Sequence, residues 1–169
     1  SIRKFPLGRS ERTLCLWVQT NDAEGEFDGD QSPNFLFGWG DFKKGGDSYG
    51  ILEDGAPWIV SDCWYTFTRE DKQLDGHDVS FTQPANGEWQ FLCSMYRNGQ
   101  VVHFVNGVEI NSATVEIGTQ GGQFYIGTSP LKGRYNFKGA VDDVRIYDRA
   151  LQADEIQWLY QLGIQEKKE

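Results

Sequence analysis

With 169 residues and a formal net charge of −9 at pH 7, the chain holds enough sequence for one well-formed core and too little for two ordinary domains. The acidic balance argues against nucleic-acid binding, which needs a basic footprint, and against attraction to anionic membranes. No apolar run approaches the ~20 residues that span a bilayer. Twenty glycines against five prolines, with six Trp, seven Tyr and eleven Phe, suit many short strands joined by tight turns rather than a helical bundle.

The chain opens at Ser1 with no Met and no obvious leader, as a module excised from a larger protein would. A basic stretch to Arg12 leads into Thr13-Leu14-Cys15-Leu16-Trp17-Val18-Gln19-Thr20. Its apolar residues fall on both faces, which predicts a strand covered on both sides. Residues 21–32 then form an acidic loop running from Asp22 to Asp30. It is rich in oxygens but lacks the spacing of a twelve-residue calcium loop, so it reads as solvated.

Strands are predicted over 34–40, 48–52 and 58–68, separated by Gly/Asp-rich turns. In the third of these, Trp58, Val60, Asp62, Trp64 and Thr66 share one face by alternation, and Ile59, Ser61, Cys63, Tyr65 and Phe67 share the other. Two Trp rings with a carboxylate between them suit the apolar faces and hydroxyls of a sugar. The opposite arrangement, with Trp58 and Trp64 in the core, is equally compatible with the pattern. The polar stretch 70–78 reads as a surface loop in which His77, beside Asp75 and Asp78, is a candidate rim contact.

Further strands are predicted over 87–96, 101–105, 108–117, 123–127 and 136–147. Asn106-Gly107 between two of them is a strong hairpin signal, because both residues tolerate positive φ. In the last strand Val144 and Ile146 share a face with Asp142, and a carboxylate in line with core residues must be paired, hydrogen-bonded or metal-bound. A closing helix is predicted over 153–162, with Ile156, Leu159 and Tyr160 as its apolar face. Asp154 and Glu155 suit its positive end, Gly163 is the expected stop, and 164–169 reads as a tail or linker start.

Cys15, Cys63 and Cys93 have no zinc-site spacing. A Cys15–Cys93 disulfide would leave an odd thiol, and buried free thiols are the preferred reading. The chain has no paired acids at Glu-x-Asp-x-x-Glu spacing, no Gly-x-Ser-x-Gly elbow and no phosphate loop. His103 lies mid-strand between Val102 and Phe104. The domain therefore reads as non-catalytic, a two-layer antiparallel sandwich closed by one helix.

Three blocks carry a family resemblance. They are Arg12 to Thr20; Gly87-Glu88-Trp89-Gln90-Phe91 through Tyr96-Arg97-Asn98-Gly99 and Val105-Asn106-Gly107-Val108; and Phe137-Lys138-Gly139-Ala140-Val141-Asp142-Asp143-Val144-Arg145-Ile146-Tyr147 with Arg149-Ala150-Leu151. Together they resemble the laminin-G-like type 3 group of the concanavalin A-like lectin/glucanase superfamily. Gln90 and Phe91 stand where that group usually has paired histidines, and Gln152 where it has a capping Ser. An uncapped start should weaken the helix by about 1 kcal/mol.

The resemblance implies an all-β, two-sheet antiparallel jelly-roll sandwich over 1–163 with one short C-terminal helix. It also implies a structural Ca²⁺ at Asp142. The expected function is a non-catalytic, lectin-like carbohydrate-binding or adhesive module of a secreted or cell-surface protein. Its expected partners are a polysaccharide or glycoprotein glycan and the neighbouring domains, with no nucleic acid and no membrane insertion. Trp58, Asp62, Trp64, His77 and Asp78 are the expected ligand contacts. A spacer domain without a glycan ligand is the alternative, and a glycan-active hydrolase or lyase with an unrecognised site is the third reading.

Overall fold

In the computed structural model, residues 5–21, 34–41, 48–54, 63–69, 79–121, 123–128 and 136–166 are described. They form strands β1 (Arg12–Thr20), β2 (Asn34–Gly40), β3 (Ser48–Asp54), β4 (Cys63–Arg69), β5 (Val79–Pro84), β6 (Gln90–Arg97), β7 (Gln100–Val105), β8 (Val108–Thr114), β9 (Gln123–Ile126) and β10 (Gly139–Tyr147), followed by helix α1 (Ala153–Glu166). The first sheet has the order β10-β1-β6-β7-β8 and the second β5-β4-β3-β2-β9. Every strand pairing is antiparallel. The expected two-sheet sandwich with a C-terminal helix is the observed architecture.

β1 shows why the sandwich has two apolar layers. Leu14, Leu16 and Val18 enter the main core between the sheets, against Leu36, Trp39 and Ile51. The alternate residues Cys15 and Trp17 join Phe91, Cys93 and Phe104 beneath Ile156 and Leu159 of α1. Each aliphatic side chain so buried contributes roughly 2 kcal/mol. A strand apolar on both faces is therefore a strand between a sheet and a helix.

Two hairpins follow directly from local chemistry. Asn98-Gly99 and Asn106-Gly107 have φ values of 51° and 78°, and 52° and 80°, the pattern of tight turns whose twist matches paired strands. Asn106 also ties the β7–β8 turn to β6: its Oδ1 accepts the Phe91 N–H at 2.9 Å, and its N–H donates to the Phe91 carbonyl at 2.8 Å.

Several expectations are corrected. Cys15 and Cys93, directly opposed on β1 and β6, form a disulfide rather than free thiols. Strand alternation puts both on the helix side, where each is fully buried. β5 is an unanticipated strand; it ends at Pro84 and sits at a sheet edge, where a residue without an N–H is tolerated. Gly163 does not stop the helix, which runs on to Glu166. A Cβ at Gly163 would come within 2.2 Å of the Trp17 indole nitrogen, so the glycine lets the indole lie against the helix backbone.

Arg12, the last residue of the basic N-terminal stretch, is fully buried. Its guanidinium lies 5.3 Å from the Tyr49 ring and 5.9 Å from the Trp39 ring. It donates to the Gly8 carbonyl at 2.7 Å and to Thr119 Oγ1 at 2.8 Å. Burial pushes its pKa down to about 10, which leaves it protonated at neutral pH. It plugs one end of the sandwich with a cation–aromatic stack.

Candidate functional site

Alternation along the second sheet separates an inner from an outer face. Tyr49 and Ile51 of β3 belong to the main core, so Ser48, Gly50 and Leu52 hold the outer positions. Register continues these across the sheet: Leu52 opposes Phe35, Gly50 opposes Gly38, and Ser48 opposes Gly40. Gly38 and Gly40 in turn oppose Tyr125 and Gln123 of β9. The outer face thus carries a strip paved with glycine, walled on one side by Tyr125 and Gln123.

Phe35 and Leu52 are buried in a small apolar cluster separate from the main core, with Tyr125 packed on it. The Tyr125 ring meets Phe35 edge-on with centroids 6.4 Å apart, and its hydroxyl donates to Gln123 Oε1 at 2.6 Å. At the other end of the strip Ser48 Oγ is buried and has no hydrogen-bond partner among the described residues. A buried hydroxyl left unsatisfied costs about 1–3 kcal/mol. Two strand spacings place Ser48 and Gln123 about 10 Å apart across the sheet, with Tyr125 two residues further along β9. Ser48 and the glycines of the strip are buried, so among the described residues it is the β9 edge, with the half-buried Tyr125 ring and the exposed Gln123 amide, that faces solvent.

Of the residues expected to contact ligand, Trp58, Asp62, His77 and Asp78 lie outside the described residues, as does the acidic stretch 22–33. Trp64 is described by its backbone alone. It stands opposite Glu53, two residues before Thr66, and Thr66 is fully buried in the core. The alternate positions, Tyr65 and Phe67, oppose Leu52 and Gly50 of the outer face.

Asp142 is exposed rather than aligned with Val144 and Ile146. β10 bulges there: Cys15 opposes Arg145 but Trp17 opposes Asp142, so two residues of β10 face one of β1. Asp143 takes up the extra residue with φ 49°, which shifts the parity of everything before it. Val141 and Val144 consequently both pack on the core. Asp142 Oδ1 accepts the Asp143 N–H at 2.8 Å, and Asp143 Oδ1 accepts from Arg145 Nε at 2.7 Å. Among the described residues no three His, Cys, Asp or Glu side chains converge into a metal site. A cation at Asp142 would need backbone carbonyls or residues outside the described ones to complete its shell.

The sheets are also joined by a buried polar chain that composition alone does not reveal. The Tyr49 hydroxyl lies 2.7 Å from Ser94 Oγ, and Thr66 Oγ1 donates to Ser94 Oγ at 2.6 Å. Thr66 Oγ1 is also 2.8 Å from His103 Nε2, whose Nδ1 is 2.9 Å from Asn111 Oδ1. Phe81 stacks on the His103 ring at 3.8 Å. The hydroxyl–imidazole–amide order resembles an activated nucleophile. Yet Thr66, Ser94 and His103 are all fully buried, so no substrate reaches them. Burial also pushes the Tyr49 phenol up to about 12, which keeps it neutral. The chain is polar mortar between two sheets.

The comparisons with known proteins agree with this fold. The family model Laminin_G_3, of the Concanavalin A-like lectin/glucanases superfamily, matches residues 1–157. No curated protein matches the chain. Among solved structures, domain 4 of AbnA, a GH43 extracellular arabinanase from Geobacillus stearothermophilus in complex with arabinotriose, is 21% identical. That match covers 92% of this chain and 68% of the other, with a TM-score of 0.65. The CBM40 of the Ruminococcus gnavus IT-sialidase, bound to α2,3-sialyllactose, is 15% identical over 92% of this chain and 84% of its own, with a TM-score of 0.67. The SAP-like pentraxin of Limulus polyphemus is 13% identical over 92% and 71%, with a TM-score of 0.65. At these identities the likeness is one of fold.

Proposed function

Because the chain belongs to the Laminin_G_3 family of the Concanavalin A-like lectin/glucanases superfamily, we propose that it is a non-catalytic, lectin-like carbohydrate-binding or adhesive module of a larger secreted or cell-surface protein. The observation that carries this reading is the outer strip of the second sheet. There the half-buried Tyr125 ring and the exposed Gln123 amide, hydrogen-bonded to one another, stand together along β9 at the sheet edge. The tyrosine offers a stacking edge, and the glutamine amide can hydrogen-bond sugar hydroxyls.

Two further facts support it. Fold neighbours have been solved with arabinotriose and with sialyllactose. The Cys15–Cys93 disulfide suits an oxidising compartment and so a secreted or surface-displayed parent. Trp58, Asp62, Trp64, His77 and Asp78 stay proposed ligand contacts from their sequence pattern, and Ca²⁺ at Asp142 a proposed structural ion.

The test is a glycan array probed with the isolated chain, in calcium and in chelator. We expect hits that a Tyr125→Ala variant loses by about tenfold or more. An array without hits would leave a spacer domain as the better reading. Trp64→Ala tests that contact separately: unchanged binding by that variant removes Trp64 from the site while leaving the lectin activity in place.

A further inference from the structure

On the opposite side of the sandwich, where α1 covers the first sheet, a groove of about 540 Å³ opens beside the start of the helix. Leu151 and Leu159 form its buried floor, and Tyr147, Arg149, Glu155 and Trp158 stand around it. We propose that this groove is a second saccharide site, one that takes a neutral pyranose residue, an inference that rests on the carbohydrate-binding reading above.

Trp158 is the first reason. Helix α1 buries Ile156, Leu159 and Gly163 against the sheet, and that stripe does not include Trp158, which is 62% exposed. Holding the largest apolar side chain in water on the helix is unfavourable by the transfer of its area, and exposed aromatic surface beside a groove is typical of binding sites. Trp158 contributes little to the fold in its present place.

The second reason is that the polar groups beside it are already fixed. Arg149 Nη1 and Nη2 donate to Glu155 Oε2 and Oε1 at 2.8 and 2.6 Å. Glu155 Oε2 also accepts the Gln152 N–H at 2.8 Å, so the clamp is anchored to the backbone at the helix start. A ligand meeting a preset guanidinium–carboxylate pair pays little ordering entropy. The pair presents donors and acceptors side by side, the combination that adjacent sugar hydroxyls require.

Charge selects the class. Asp154 and Glu155 outnumber Arg149 among the lining groups, and the whole chain carries −9. Uronic, sialic and sulfated sugars are repelled on both scales. A neutral ring can stack its apolar face on Trp158 and direct its hydroxyls to the clamp.

The experiment is an amide and indole NMR titration of the chain with neutral oligosaccharides built from glucose, galactose, mannose, xylose and arabinose, with sialyllactose as the anionic control. We expect a neutral sugar to shift the Trp158 indole N–H and the amides of Leu151 and Glu155 in a saturable way. Trp158→Ala should weaken that response about tenfold or more, Trp158→Phe should retain part of it, and Tyr125→Ala should leave it unchanged. Shifts confined to the Tyr125 face would overturn the groove and leave the carbohydrate reading standing. No shift with any sugar would remove both. A stronger response to sialyllactose than to every neutral sugar would also overturn the proposal, since its charge argument would be wrong.

Discussion

Gly163 puts two opposing effects at one position. Alanine is the better helix former by about 1 kcal/mol in a helix interior, so Gly163→Ala should stabilise the protein if only the helix mattered. A Cβ there, however, would meet Trp17 Nε1 at 2.2 Å and Cε2 at 2.7 Å. Trp17 is itself pinned between Phe91 and Tyr160, with centroids 5.3 and 5.7 Å away. Overpacking of that kind costs about 1–3 kcal/mol. We expect the collision to win and Gly163→Ala to lower the denaturation midpoint; a raised midpoint would mean that the indole has room to move. From sequence the residue resembles a stop signal, because a glycine near a helix end is the same letter whether it terminates the helix or admits a neighbour.

At the scale of the element, the start of α1 shows one capping device replaced by another. Gln152 stands where a serine would cap, and the helix instead uses Glu155, which accepts the Gln152 N–H in the manner of half a capping box. Arg149, first, and that backbone bond, second, hold the Glu155 carboxyl at about 2, well below the usual carboxylate range. A carboxyl depressed on folding adds stability that is fully present above its unfolded value, near 4.5. That stability is lost as pH falls towards about 2. Melting temperatures of the parent and of Glu155→Gln should therefore differ above about pH 5 and converge in strong acid. The gap should be modest because both partners are half-exposed to solvent. A gap that stays constant over the range would show that the charge of Glu155 plays no part. Strands declared themselves more openly than this helix start. β1 was legible from its two apolar faces and the β7–β8 hairpin from Asn106-Gly107, whereas β5, short and ending in Pro84, carries too few apolar residues to announce an edge strand.

For the whole molecule, the Cys15–Cys93 bridge joins positions 78 residues apart in sequence. Closing a loop of that length in the unfolded chain is worth about 4 kcal/mol by the chain-entropy account. Replacing both cysteines by alanine should lower stability by an amount of that order, measured by denaturant unfolding, and a loss below about 1 kcal/mol would show that the two packed faces suffice. Since both sulfurs belong to fully buried residues, reductant should open the bridge only as fast as the sandwich unfolds. Calcium acts at the same scale. If Asp142 holds a structural Ca²⁺, saturating calcium should raise the melting temperature above that in chelator by ordinary linkage. Identical melting temperatures would remove the metal from the protein.

What the sequence determined by itself is the scaffold. Alternation of apolar residues, Asn-Gly turns and the amphipathic stripe of Ile156 and Leu159 are local rules, and local rules are written in neighbouring letters. What only the tertiary structure decided are the facts that depend on parity and on distant partners. The bulge at Asp143 turned Asp142 away from the face that simple alternation gave it. Register brought Cys15 opposite Cys93, and Ser48, Gly38 and Tyr125 onto one outer face. Packing of α1 left Trp158 beside the Arg149–Glu155 clamp. None of these is visible from spacing, because one extra residue in a strand reverses every face before it, and a cross-strand neighbour can lie almost anywhere along the chain.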